Sequence, residues 1–325
     1  MPRGPRIETN DGIFHVINRG NYRSYVFEDE GAKASFEVCL LEACDRFGWR
    51  LHAYCVMGNH FHLCIATPRG NLSEGMRWLQ GTFAARFNRF RKETGHLFQG
   101  RFKSLVVEPG MHLCDLVDYI HLNPVRAGVV APGVAKSYRW SSLNWFSKLK
   151  TRPSCLDASW MCNREGLKDS SAGWRSYATS LQMRMCDDPK ELEKLEARMC
   201  RGWCIGGNEF KKAHMDEFLA KKDTVRLGKE ALLELNELHW REALRKCLKQ
   251  LGFREEDAAS ASKSVDWKLA IASKLKESTS VKNAWLSERL SMGSPKGMSS
   301  NLTIYRRRRS KCPLFGKLID LNFEH

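Results

Sequence analysis

Residues 50–67 read Arg-Leu-His-Ala-Tyr-Cys-Val-Met-Gly-Asn-His-Phe-His-Leu-Cys-Ile-Ala-Thr. Two apolar runs, 50–57 and 60–67, flank Gly58-Asn59, and a two-residue link of this kind is a hairpin signal. With Gly58-Asn59 as the loop, Met57 pairs with His60 and Cys55 with His62. Directly opposed residues share a face. Alternation therefore predicts one face carrying His60, His62, Cys64, Ala66, Met57, Cys55 and Ala53. Phe61, Leu63 and Ile65 turn the other way, toward a core. The histidine face bears mostly small side chains, which leaves room for a substrate and a covering helix. A slip of one residue would reverse the whole assignment.

Working outward, residues 13–19 (Ile-Phe-His-Val-Ile-Asn-Arg) predict a first strand. A helix is expected over about 30–47, where Phe36, Leu40, Leu41 and Ala43 fall near helical spacing. A second, basic at its end, is expected over about 72–92. Residues 97–108 contain Phe98-Gln99-Gly100-Arg101-Phe102-Lys103 and then Leu105-Val106-Val107, and read as a hairpin or a bulged edge strand. A third helix over about 111–122 stops at Asn123-Pro124. The first six elements follow the βαββαβ order of a ferredoxin-like layer, an α+β fold with an antiparallel sheet and helices on one face. The helix after the last strand is left the open face.

The 325 residues suffice for more than one domain, and 42% of them are apolar. Three segments are expected: 1–150, 151–225 and 226–325. No apolar run approaches the ~18 residues of a membrane span. Met1-Pro2-Arg3-Gly4-Pro5-Arg6 leads into no apolar stretch, so the expectation is a cytoplasmic protein without a secretory signal or membrane partner. Twelve cysteines are scattered without a Cys-x-x-Cys pair. Cys200 and Cys204, with His214 beyond, are the nearest approach to a zinc set, and buried thiols are the favoured reading. The net charge of +16 points to a polyanion, for which nucleic acid fits better than a membrane surface because no basic amphipathic anchor stands out.

Residues 151–190 read as irregular or weakly helical. Residues 189–222, 228–251 and 265–309 read as helical, with an Ala/Ser/Asp/Glu-rich stretch at 255–264. No function is legible in 151–225. Residues 281–294 predict a helix and a tight glycine turn, and Pro295 suits the first turn of a new helix. That helix carries Ser299, Ser300, Asn301, Tyr305 and the run Arg306, Arg307, Arg308, Arg309. The expectation is an all-α C-terminal region with a helix-turn-helix at about 281–309 docking on duplex DNA; a solvated helical hairpin is the alternative.

Two imidazoles two apart on a strand can meet one metal ion, although His-x-His alone more often marks satisfied side chains. Tyr119 and Asn123 are four apart and share a helix face, with Leu116 beside them. Asn123 precedes a proline and falls at or past the last turn. For a single tyrosine the ordinary role is a buried ring. Of the seven tyrosines, Tyr119 alone is followed by an asparagine four residues on.

Gly58-Asn59-His60-Phe61-His62-Leu63, followed by Tyr119-Ile120-His121-Leu122-Asn123-Pro124-Val125-Arg126-Ala127-Gly128, resembles the REP-associated tyrosine transposases, which belong to the single-tyrosine HUH transposases. His15-Val16-Ile17-Asn18-Arg19-Gly20, Phe98-Gln99-Gly100-Arg101-Phe102-Lys103-Ser104 and Trp140-Ser141-Ser142 resemble that pattern too, in the same order. The resemblance covers about residues 7–147. It implies His60 and His62 as metal ligands, Tyr119 as nucleophile and Asn123 as third ligand. It further implies a 5′-phosphotyrosine intermediate with a free 3′-hydroxyl, and binding of palindromic repeats beside a single-stranded tetranucleotide. No second tyrosine lies within a turn of Tyr119, which argues against the two-tyrosine initiators of the wider superfamily. Mg²⁺ prefers oxygen and Mn²⁺ accepts imidazole, so either ion suits the set. DNA contacts are expected from Arg19, Arg23, Arg86, Arg89, Arg91, Arg101, Lys103 and Arg126. The short segment after the tyrosine helix favours assembly in cis in a monomer, which a stable dimer in sedimentation would oppose. Two rival readings explain the charge equally: a binding module without turnover, and a hydrolytic nuclease with water as nucleophile.

Overall fold

A computed structural model describes residues 9–131, 133–184, 188–220, 229–321 and 323. The readings of residues 1–6, of Cys186 and of the helical stretch 189–222 beyond Ala220 lie outside these. In chain order the regular elements are β1 (Gly12–Arg19), α1 (Glu30–Phe47), β2 (Arg50–Val56), β3 (His60–Thr67), α2 (Leu72–Arg91), β4 (Lys103–Val107), α3 (Met111–His121) and α4 (Asn123–Arg126). Then come α5 (Ser142–Phe146), α6 (Ser171–Met183), α7 (Pro189–Cys200), β5 (Cys204–Ile205), α8 (Asn208–Ala220), α9 (Lys229–Leu251) and α10 (Asp257–Ser260). The last are α11 (Asp266–Ser278), α12 (Asn283–Arg289), α13 (Pro295–Arg306) and α14 (Pro313–Gly316). Two compact units result, one formed by the chain up to His214, the other by residues 215–220 and the described chain from 229 on.

The first unit is built on a sheet of order β2-β3-β1-β4-β5. Its first four strands pair antiparallel in the ferredoxin-like arrangement. The predicted hairpin register holds: Cys55 opposes His62, Val56 opposes Phe61, and the Met57 amide donates to the His60 carbonyl at 2.8 Å. A bulge between Leu51 and Ala53 makes His52 the extra residue, so Arg50 rather than Leu51 stands opposite Ala66. The loop is pinned from outside, because the Asn59 carbonyl accepts from the Gly20 amide at 2.8 Å and the Gly58 carbonyl from Phe27 at 2.9 Å.

The apolar face packs as alternation requires. Phe61 meets Phe36 of α1 with ring centroids 4.7 Å apart, and Phe27, Phe83 and Phe98 complete one aromatic cluster. Burying each such ring contributes about 1.5–3 kcal/mol. Asp29 caps α1 by accepting from the Ala32 amide at 2.6 Å, and Gly48 at φ 67° ends it in the left-handed conformation. Where α2 passes Trp49 there is no room for a side chain: a Cβ on Gly75 would lie 2.0 Å from Trp49 Cζ2. Gly75→Ala is therefore expected to cost about 1–3 kcal/mol through overpacking, read as a lowered urea midpoint. Stability equal to wild type would mean that Trp49 yields freely, despite the 2.9 Å hydrogen bond from its Nε1 to Asn71 Oδ1.

The segment 97–108 is not a hairpin. Only residues 103–107 form a strand, and Phe98 reaches back to Gly20 through an isolated bridge. Residues 151–214 are integral to this unit. β5 pairs parallel with β4, through Val106–Cys204 and Val107–Ile205, so the sheet is mixed rather than wholly antiparallel. At the opposite edge Leu51 exchanges hydrogen bonds with Cys155 and Asp157, and the Val56 amide donates to Trp140.

The second unit is all α. Trp240, Leu244, Trp267, Ile271, Leu286, Met298 and Leu302 lie in one core. Tyr305 is 1% exposed and belongs to that core: residues 298, 302 and 305 form the inward stripe of α13. Between α12 and α13 the backbone turns through Ser291 (φ 48°) and Gly293 (φ 82°). Ser294 Oγ accepts from the Gly297 amide at 3.1 Å, with Pro295 in the first turn as predicted. Of the arginine run, Arg308 pairs with Asp266 at 2.8 Å and Arg309 with Glu277, while Arg306 and Arg307 are exposed.

Candidate active site

The face of the sheet opposite the phenylalanine cluster carries His60 and His62 of β3. In the neighbouring strand β1, Arg19 opposes His60, Ile17 opposes His62 and His15 opposes Cys64. His15 is therefore the third histidine of this face, and its Nε2 lies 2.9 Å from His62 Nδ1. Its Nδ1 lies 2.8 Å from the carbonyl oxygen of Met199, at the end of α7. A carbonyl only accepts, so His15 Nδ1–H donates to it and Nε2 is left as the acceptor for His62 Nδ1–H. That chain leaves His62 Nε2 with its lone pair. At His60, Nδ1 lies 2.7 Å from Asn59 Oδ1, and by the same logic donates to it and keeps Nε2 basic. The two strand histidines have ring centroids 5.0 Å apart. Each thus holds one nitrogen as a committed donor and one as a free base, the tautomer a metal ligand needs.

α3 lies across this face and brings Tyr119 to it. The tyrosine ring stands edge-on to His62 at 5.7 Å and to His15 at 6.1 Å. Its hydroxyl lies 3.1 Å from Cys200 Sγ. Arg126 of α4 stacks its guanidinium 4.0 Å from the ring centroid and donates to the Tyr119 carbonyl. Asn123 opens α4 and turns its side-chain amide back to the Tyr119 carbonyl at 3.4 Å. Tyr119 is 7% exposed. Burial, with the Cys200 thiol beside it, pushes the phenol well above its ordinary range.

The rear of α3 is anchored by a buried polar chain. Asp118 accepts from Arg164 at 2.6 Å, from Arg184 and from the Tyr177 hydroxyl at 2.9 Å. His121 touches the Tyr177 hydroxyl at 2.9 Å and Ser142 Oγ at 2.8 Å, and Ser142 Oγ accepts from the Tyr54 amide of β2 at 2.9 Å. Ser142 of the Trp-Ser-Ser motif thereby ties the tyrosine helix to the sheet.

Burial holds His15 and His60 down to about 4 and His121 to about 3, with Lys103 adding to the effect at His15 and Arg19 at His60. His62 is pushed well below its usual value by burial and by His15 beside it. An unfolded histidine titrates near 6.5, so below that pH the unfolded chain takes up protons that the folded chain refuses. The sign follows: stability is full above about pH 6.5 and falls as pH drops toward 4, by about 1.4 kcal/mol per pH unit for each such histidine. In chelator-treated protein the urea midpoint of the first unit, followed by pulse proteolysis, is expected to fall between pH 7 and pH 5. A flat profile there would contradict the neutral imidazoles.

Residues 8–123 match the family described as Transposase IS200 like. The chain resembles the IS200-like transposases. Over 153 residues it is 26% identical to a curated protein of Haemophilus influenzae described as a REP-associated tyrosine transposase, an alignment covering 43% of this chain and 84% of that one. Among solved structures, a REP-associated tyrosine transposase bound to a REP hairpin aligns with 49% of this chain and 93% of its own, at 17% identity and TM-score 0.39. A Deinococcus radiodurans protein described as a transposase aligns over 40% and 91%, at 22% identity and TM-score 0.27. The family match supports a transposase-type, DNA-processing function for the IS200-like segment. Among the described residues no helix is long and apolar enough to cross a membrane.

The IS200-like segment sorts its basic residues unevenly. Arg19 and Arg23 are exposed beside the hairpin loop, and Lys103, opposite Ile17, acts electrostatically on both His15 and Cys200. Arg101 is exposed. Arg86 sits in the helical layer on the far side of the sheet, paired with Glu42 at 2.9 Å and donating to Cys39 Sγ, so it is not brought to the site. Arg91 is likewise paired, with Asp29. Arg126 is spent on Tyr119. Two aromatic residues escaped sequence reasoning: Tyr22, 93% exposed, and Tyr25, 68% exposed with its ring against Gly58. His15 escaped it too, and Cys200 was weighed there only with Cys204 and His214, not with the histidine face. His15 stood inside a quoted motif, but only the β1–β3 pairing puts it on the histidine face.

Proposed function

We propose that this chain is a metal-dependent single-stranded DNA endonuclease and strand transferase of the transposase type, acting on repeat or hairpin DNA with Tyr119 as nucleophile. The observation that carries the reading is the Tyr119 ring held edge-on to His62, 5.7 Å away on the sheet face that also bears His60. The two basic Nε2 atoms fit a divalent cation, Mg²⁺ or Mn²⁺, with Asn123 as a further oxygen ligand once its amide leaves the Tyr119 carbonyl. When bound, such an ion polarises a phosphodiester and stabilises the charge that develops on it.

Tyr119 Oη attacks phosphorus, the P–O3′ bond breaks, the phenol proton is released and the leaving 3′ oxygen takes one up. The product is a 5′-phosphotyrosine and a 3′-hydroxyl. Because the ester is kept, a second 3′-hydroxyl can run the step backwards and join strands, which hydrolysis would forbid. Arg126 orients the phenol from its far face. Arg19, Arg23, Arg101 and Lys103 supply positive charge along the rim, and Tyr22 and Tyr25 supply rings on which unpaired bases stack. In the C-terminal unit, α12 and α13 act as a helix-turn-helix, with Ser299, Asn301, Arg306 and Arg307 facing a duplex major groove.

The test is a denaturing gel of the full chain with labelled hairpin-repeat single-stranded DNA, with and without Mn²⁺ or Mg²⁺. A metal-dependent covalent protein–DNA band is expected. Cleavage without an adduct would replace this reading with a hydrolytic nuclease. Tight binding without cleavage across a panel of repeats would replace it with a binding module.

A further inference from the structure

One ring nitrogen of His15, one of His62 and the Cys200 sulfur all lie within 4.8 Å of one another. Cys200 reaches them from the end of α7, far along the chain from β1 and β3. We propose that His15 Nε2, His62 Nδ1 and Cys200 Sγ form a second metal site, for Zn²⁺, whose occupation excludes the catalytic ion and locks Tyr119.

The donor set is what a soft-to-borderline ion selects: two imidazoles and a thiolate, with no carboxylate among the three. Mg²⁺ has no use for it. The second rank of contacts already fits. His15 Nδ1 donates to the Met199 carbonyl at 2.8 Å, which turns Nε2 inward as a base, the usual way a protein fixes a zinc-binding imidazole. Tetrahedral zinc with Zn–N near 2.05 Å sets its two nitrogens about 3.3 Å apart, and each nitrogen about 3.6 Å from a thiolate sulfur. The two nitrogens stand 2.9 Å apart, so they must open by a few tenths of an ångström while the sulfur closes in. A cysteine side chain at the end of a helix can make that movement by rotation about χ1.

The exclusion is a matter of tautomers and rests on the catalytic reading above. A neutral imidazole has one lone pair. If His62 gives Nδ1 to zinc, its proton moves to Nε2, and Nε2 can no longer hold the ion shared with His60. Cys200 Sγ also sits 3.1 Å from the Tyr119 hydroxyl, so the zinc-bound arrangement keeps α7 over the nucleophile. Release of Cys200 uncovers Tyr119 and returns His62 Nε2 to the catalytic set in one movement. The chain thus contains a closed, zinc-holding state and an open, DNA-processing one.

The experiment uses the full chain freed of metal and titrated with Co²⁺ in place of Zn²⁺, without DNA. Wild type is expected to show the near-ultraviolet thiolate-to-cobalt charge-transfer band. Cys200→Ser and Cys200→Ala should lose it, and competition should show zinc affinity lowered by about 10-fold or more. His60→Ala should keep it, which separates this site from the His60–His62 pair. Far-ultraviolet circular dichroism checks that each variant is folded. No band in the wild type, a band that persists in a folded Cys200 variant, or a band that depends on His60 would overturn the proposal. The spectrum needs no catalysis. A cobalt band without any DNA adduct would leave the zinc site standing and sink the catalytic reading, and an adduct without the band would do the reverse.

Discussion

Tyr119→Phe is expected to abolish the covalent protein–DNA adduct, lowering its yield by at least about 10³-fold, while binding of hairpin DNA and the fold survive. The substitution removes one oxygen. The ring keeps its edge contacts with His62 and His15 and its stacking under Arg126, and among the described residues the hydrogen bond lost is that to Cys200. Losing a single such bond costs about 1 kcal/mol, too little to unfold a domain. A collapse of adduct formation therefore reports chemistry, since a phenylalanine offers no atom to form the ester. Undiminished strand cleavage in Tyr119→Phe would make water the nucleophile and reduce Tyr119 to packing. Retained adduct would move the nucleophile to another side chain.

The largest effect on stability is expected one residue earlier. Asp118→Ala leaves the guanidinium of Arg164 buried without its counter-charge, its side chain being 5% exposed. It also strips the Tyr177 hydroxyl and Arg184 of their acceptor. Breaking a buried pair by removing one partner costs about 3–5 kcal/mol, which lowers the melting temperature of a unit of this size by on the order of 10 °C. Asp118→Asn keeps the shape and an acceptor for Tyr177 and should cost less than Asp118→Ala. Equal costs would mean that charge plays no part. A change under about 1 kcal/mol in Asp118→Ala would show that the arginines find water instead, and that α3 is held from the front by Tyr119 and Arg126 alone.

What was legible in the sequence was what local rules govern. The hairpin register followed from Gly58-Asn59 and strict alternation. The helix expected over about 30–47 from the spacing of Phe36, Leu40, Leu41 and Ala43 is α1, Glu30–Phe47. The tyrosine helix stopped where Asn123-Pro124 said it should. What was not legible depends on contacts between distant parts of the chain. The Met199 carbonyl that fixes the tautomer of His15 is 184 residues away from it. The bulge at His52 leaves no mark on the hydrophobic pattern. Two-residue strands such as β5 carry no periodicity at all. Arg86 looked like one more cation on a basic helix because Glu42, its partner, belongs to a different helix. Tyr305 was named only as part of the second helix, yet helical spacing from Met298 and Leu302 could have placed it inward.

The flanks of the sheet set the limit of any attempt to cut this protein down. On the β4 side Cys204 and Ile205 occupy the backbone groups that another strand would seek, and on the β2 side Trp140, Cys155 and Asp157 do the same. A fragment ending at 123, where the family match ends, or at 150 would keep His60, His62, Tyr119 and Asn123 and still be a poor protein. It would bare unpaired amides and carbonyls along β4, inviting edge-to-edge polymerisation. It would also discard Arg164 and Tyr177 from behind the tyrosine helix. The smallest portion that can be expressed, crystallised or grafted onto another carrier therefore runs past Ile205, and its length is dictated by sealing the sheet rather than by chemistry.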